Sequence, residues 1–77
     1  SPMHWVDQVM VIFAATNGYL DNISVAGIRD FENGFLQLMH GQYADLRNQL
    51  IETQNIDAVQ DGLKKALSEY VETFQAA

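Results

Sequence analysis

The chain of 77 residues has no cysteine, so no disulfide can staple it. Bases are scarce. Four Lys and Arg stand against ten Asp and Glu, a formal charge of −6, and Arg29, Arg47, Lys64 and Lys65 form no patch, which excludes the clustered cations that nucleic-acid phosphates require. No apolar run reaches the ~18 residues that would span a bilayer, and no basic segment precedes an apolar one at the N-terminus. Direct membrane insertion is therefore not expected. The two histidines, His4 and His40, stand far apart without a carboxylate or second histidine at ligand spacing, so no metal site is expected. The five glycines are scattered, and no G-x-x-x-x-G-K-[ST] phosphate loop occurs.

A chain of this length makes one domain and buries a smaller share of its surface than a larger domain does. With a disulfide excluded and a metal site not expected, association or attachment to a larger chain is the expected source of added stability.

What is present is helical periodicity. The first segment, from about His4 to Asn17, places Trp5, Val9, Ile12, Phe13 and Thr16 on one face, with Val6, Met10 and Ala14 beside it. That apolar arc is wider than the stripe of an ordinary surface helix, so cover on more than one side is expected. Asp7 stands in the first turn, where a carboxylate meets the positive end of the helix dipole. Two starts are open: Ser1 as cap with Pro2 in the first helical position, or an opening near His4. Trp5 either closes the bundle or docks onto a neighbour. Trp5, Val9, Ile12 and Phe13 are the interface candidates.

The stretch "NGYLD" (Asn17 to Asp21) reads as a helix stop, with Gly18 left-handed, Asn17 as the cap and Tyr19 folding back over Phe13 or Ala14. A two-residue hairpin is the alternative, but the flanks lack its alternation. The second helix opens at Ser24, whose hydroxyl is placed to accept the Gly27 N–H while Ile23 staples Ile28. Val25, Ile28, Phe31, Phe35, Leu38 and Met39 then form its buried face. Gly27 and Gly34 each cost about 1 kcal/mol inside a helix, and close approach of a neighbouring helix is the expected reason; Gly41 ends or kinks the helix. A third helix covers about Gln42 to Glu52, with Tyr43, Leu46, Leu50 and Ile51 inward, and "TQNID" breaks it. The last runs from about Asp57 to Phe74, capped by Asp57 or Asn55, with Val59, Leu63, Ala66, Leu67, Tyr70 and Phe74 as its stripe and Asp61–Lys65 as an outer ion pair. The fold class is all-α, a small four-helix bundle or orthogonal helical array.

Nothing in this pattern points to catalysis. Ser24 has a capping task and Ser68 falls on a polar back, while Asp57 with Asp61 and Glu69 with Glu72 lie on a solvated face where no pocket raises a pKa. No catalytic, cofactor-binding or metal-binding residue is expected. Met3, Met10 and Met39 read as core filler.

Read together, "SPMHWVDQVMVIFAATNGYLDNISVAGIRDFENGFL" resembles the C-terminal region of the alpha subunit of the F-type rotary ATP synthase. The matching positions are Ser1, Pro2, Asp7, Gln8, Asn17 to Asp21, Val25, Arg29, Phe31, Glu32 and Leu36. Further on, "YADLRNQLIET" resembles the family's third helix and "DGLKKALSEYVETF" its last. The beta subunit has a related helical end, but "NGYLD" and the Phe31–Glu32 context sit better with alpha. Departures are His4 for a small cap, Trp5 for a smaller side chain, and Ser24 for a frequent proline.

The resemblance implies that residues 1–77 are a single C-terminal helical domain of a longer subunit. Its nucleotide-binding domain, with ATP or ADP and Mg, lies upstream. It implies a structural and coupling role in a ring of alternating alpha and beta subunits that makes ATP from a proton gradient by rotation of a central stalk, without catalysis by this segment itself. The implied partners are the rest of the alpha chain, beta subunits and the central stalk, and the implied location is peripheral to an energy-transducing membrane. That membrane is the bacterial plasma membrane or the mitochondrial inner membrane on its matrix side. An autonomous acidic helical interaction module is the alternative.

Overall fold

A computed structural model describes residues 3–76, with side chains described for 3–75. It contains helices α1 (Trp5–Thr16), α2 (Ile28–His40), α3 (Ala44–Thr53) and α4 (Gln60–Ala76), with single 3-10 turns at Val25–Gly27 and Ile56–Ala58. No strand occurs among the described residues, and the all-α array expected from periodicity is what forms.

Each helix end follows from its local sequence. At the start of α1, His4 is the cap, its Nδ1 accepting the Val6 N–H at 3.2 Å; the alternative cap at Ser1 lies outside the described residues. At the end, Gly18 has φ +86°, the Gly18 N–H donates to Ala15 O and the Tyr19 N–H to Ala14 O. That pair of bonds is a Schellman stop. Asn17 adds a third bond, its Nδ2 donating to Phe13 O at 2.9 Å. "NGYLD" therefore ends α1 and satisfies carbonyls that would otherwise be orphaned.

The Ser24 hydroxyl accepts the Gly27 N–H at 3.2 Å, as the sequence suggests, but it caps a 3-10 turn, and α2 proper begins at Ile28. Val25, expected on the buried face, is 88% exposed because it lies in that turn rather than in α2. Gly41 caps α2. Before α4, the Asn55 side chain accepts the Asp57 N–H at 3.0 Å, so Asn55, not Asp57, supplies the cap of the second 3-10 turn. Asp61 and Lys65 do not form the expected ion pair: the salt bridges among the described residues both involve Asp7.

The core joins Val6, Met10, Phe13 and Ala14 of α1, Phe31, Phe35 and Met39 of α2, Leu50 of α3, and Val59, Leu63, Ala66 and Leu67 of α4 and the turn before it. Phe31 and Phe35 repeat at four residues on α2 and meet the aromatic end of α4. Phe31 lies 4.9 Å from Tyr70 and 5.2 Å, edge-on, from Phe74, centroid to centroid. These are the tilted and T-shaped arrangements that ring quadrupoles favour.

Two glycines let the helices approach. A Cβ on Gly34 would collide with the Tyr70 hydroxyl and come within 3.1 Å of Tyr70 Cζ, so the α2–α4 contact expected from Gly34 is present. A Cβ on Gly62 would stand 2.9 Å from Leu46 Cδ1, an α3–α4 approach that the sequence reading did not single out. Gly27 departs from expectation. A Cβ there would meet Ser24 and Ile23 of its own turn, not a neighbouring helix.

Gly34→Ala is expected to lower stability by about 1–2 kcal/mol, because overpacking a held ring costs about 1–3 kcal/mol while alanine returns about 1 kcal/mol of helix propensity. The same change in a Tyr70→Phe background should cost less. Gly62→Ala should be close to neutral, since only a Leu46 methyl has to turn. Denaturant melts of the four variants check this ordering.

Candidate interaction surface

The residue that organises α1 is Asp7. Its position follows from spacing: Met10 lies three residues on and Ala14 seven, so the carboxylate shares the face that enters the core. Asp7 is 5% exposed. Its Oδ1 accepts the Arg47 Nε–H at 2.9 Å and its Oδ2 lies 2.9 Å from His40 Nε2. One buried carboxylate therefore ties α1 to α3 and to the last residue of α2. Burial acts to raise its pKa, but the hydrogen bonds from Arg47 and His40, with the charges of both, outweigh that and hold it below the ordinary value of 3.8. Among the described residues no buried side-chain N or O lacks a partner, so the network is closed.

Sequence reading saw none of this cluster. By sequence alone Asp7 is a dipole partner, Arg47 belongs to no cationic patch, and His40 has no carboxylate at ligand spacing. The fold brings that carboxylate to His40 across 33 residues. The available signal was Asp7's register with Met10 and Ala14.

The four interface candidates separate. Trp5 is 42% and Ile12 59% exposed; they lie seven residues, about two turns, apart and so share one outer line of α1. Val9 is half-buried against the core, and Phe13, at 9% exposed, belongs to the core of the chain itself. The inward face is centred on Val6, Asp7, Met10 and Ala14, about a third of a turn from the face first read as Trp5–Val9–Ile12–Phe13–Thr16. The wide apolar arc thus divides into an inner half that packs and an outer half, Trp5 and Ile12, that faces solvent.

A concavity of about 560 Å3 lies between α2 and α4, with Tyr70 and Glu69 on one wall and Leu38 on the other. The Tyr43 hydroxyl, at the corner before α3, donates to Glu69 Oε2 at 3.0 Å. No cluster of three or more His, Cys, Asp or Glu suited to a metal occurs among the described residues. The expected carboxylate pairs (Asp57 with Asp61, Glu69 with Glu72) are all exposed.

Residues 1–74 match the family described as ATP synthase alpha/beta chain, C terminal domain. The chain belongs to that family. It is 40% identical over 76 residues to ATP synthase subunit alpha of Petrotoga mobilis (strain DSM 10674 / SJ95), a match that covers 97% of this chain and 15% of that protein. The C-terminal alpha-type resemblance carried by "NGYLD" and the Phe31–Glu32 context thus holds across the whole chain, and the chain spans under a sixth of the length of that alpha subunit. No solved structure matches. Within this ATP synthase C-terminal domain, no helix among the described residues is long and apolar enough to cross a membrane.

The Asp7 network sets a pH dependence with a definite sign. A carboxylate whose pKa is lower folded than unfolded stabilises the fold fully above the unfolded value of 3.8, and that contribution is lost as pH falls through the lower folded value. Asp7→Asn should therefore flatten the rise in stability between the folded-state pKa and about pH 4. It should also cost about 1–3 kcal/mol at pH 7 by leaving Arg47 without its charged acceptor. Thermal melts of both proteins from pH 2 to 7 test this.

Proposed function

We propose that this chain is the helical end of an ATP synthase alpha subunit, a structural and coupling element without catalytic residues of its own. In this reading it sits in a ring of alternating alpha and beta subunits that makes ATP as a proton gradient turns a central stalk. It is peripheral to an energy-transducing membrane, the bacterial plasma membrane or the matrix face of the mitochondrial inner membrane. By the family resemblance, ATP or ADP and Mg are held by an upstream domain; the 77 residues themselves carry no phosphate loop, and half-buried Arg47 is engaged by Asp7.

The observation that carries the reading is the family match over residues 1–74. Exposed Trp5 and Ile12 support it physically: they give the domain an apolar line on α1 for the rest of the alpha chain or a neighbouring subunit to cover, with each large side chain worth about 1.5–3 kcal/mol when fully buried. Neither the family match nor the relative favours an autonomous adaptor.

The test is a chimera in which this chain replaces the matching C-terminal segment of the Petrotoga mobilis alpha subunit. Recovery of beta subunit with the tagged chimera is expected, and Ile12→Asp should reduce it about tenfold or more. The same substitution in the free 77-residue chain should change stability by no more than about 0.5 kcal/mol, because Ile12 is exposed there. Undiminished recovery with Ile12→Asp would contradict the assignment of that face.

A further inference from the structure

We propose that the groove between α2 and α4 is a docking site for an arginine side chain presented by a partner protein. The proposal does not depend on which complex the chain joins, and it concerns a different face from the Trp5–Ile12 line. Its walls combine two aromatic rings, Tyr43 and Tyr70, with the carboxylate of Glu69 and the apolar edge of Leu38. No Lys, Arg or His lines it, and the chain as a whole carries −6. Its volume, about 560 Å3, is in the range of small-ligand clefts.

The geometry leaves specific groups free. Glu69 uses Oε2 to accept the Tyr43 hydroxyl at 3.0 Å, and that bond fixes the carboxylate at the groove edge while Oε1 keeps both lone pairs for an incoming donor. The Tyr70 ring is held by Phe31 and Phe74 at 4.9 and 6.0 Å, so it presents a fixed face. Both phenols have raised pKa values: Tyr43 through its hydrogen bond to Glu69, Tyr70 through burial and then the charge of Asp30. Glu69 thus places negative charge beside Tyr43, and Asp30 adds a smaller share at Tyr70 after burial. A rigid aromatic face beside a positioned carboxylate matches a guanidinium, which is planar, stacks on rings and donates through a fork; a lysine offers only the point charge.

The test follows the Tyr43 and Tyr70 ring resonances of the 77-residue chain by NMR during titration with N-acetyl-arginine methylamide, with N-acetyl-norleucine methylamide as the uncharged comparison. Saturable shifts confined to these rings and their neighbours, with a Kd of about 10 mM or tighter and weakened by salt, are expected for the arginine probe only. Glu69→Gln keeps an acceptor for Tyr43 and removes the charge, and should weaken binding about threefold or more. Thr73→Lys, one helical turn beyond Glu69 on exposed surface, places the chain's own cation at the groove and should suppress binding even if Glu69→Gln fails to fold. Shifts that rise linearly without saturating would overturn the proposal. So would equal shifts with norleucine, or binding unaffected by Thr73→Lys.

Discussion

The structure depends on how one buried carboxylate is shared. Asp7 is almost withdrawn from water, so its charge must be met by hydrogen bonds, and the donors come from α3 and from the end of α2. Each of its oxygens takes one. That requirement fixes where α1 lies along α3 and how it is turned about its own axis. A buried ion pair of this kind is weak as a source of net stability, since apolar groups of similar shape often do as well. Its effect here is on orientation. Apolar side chains lie on both sides of α1, so burial of apolar area alone leaves the choice of inward face open; only the Val6–Met10–Ala14 side carries Asp7 to Arg47 and His40.

Once that side faces in, Trp5 and Ile12 must face out. The exposed line on α1 is therefore a consequence of the anchor. On the far side, α2 and α4 are drawn together by Gly34 under Tyr70, and the aromatic cluster of Phe31, Tyr70 and Phe74 closes the core. The two faces of the domain are thus set by different physics: a hydrogen-bonded charge on the α1 side and glycine-permitted aromatic packing on the α4 side.

The fold was largely legible in the sequence because its signals are local. The Asn17–Gly18 stop, the Ser24 and Asn55 caps, Gly41 and the Phe31–Phe35–Met39 and Val59–Leu63–Ala66–Leu67 stripes each act within a turn or two. Val25 falls elsewhere because the same Ser24 cap can open a 3-10 turn or an α-helix, and the two differ in hydrogen-bond span and residues per turn, hence in the face each residue takes. The Asp7 cluster was not legible. Its members are separated by 33 and 40 residues, and each alone has an ordinary reading. The inward face of α1 was misjudged for the same reason: a helix apolar nearly all round has no preferred side until a partner for its one charge is known. Gly62 carries the same signal as Gly34, a glycine inside a helix that needs a close neighbour to justify it, and could have been found by the same argument.

A double-mutant cycle between Asp7 and Arg47, using Asp7→Asn, Arg47→Gln and the double variant in denaturant unfolding at pH 7, addresses the anchor most directly. A coupling free energy of about 1–3 kcal/mol is predicted, within the range for residues sharing one network. Additive losses, with coupling below about 0.3 kcal/mol, would mean that packing alone seats α1 and would contradict the account.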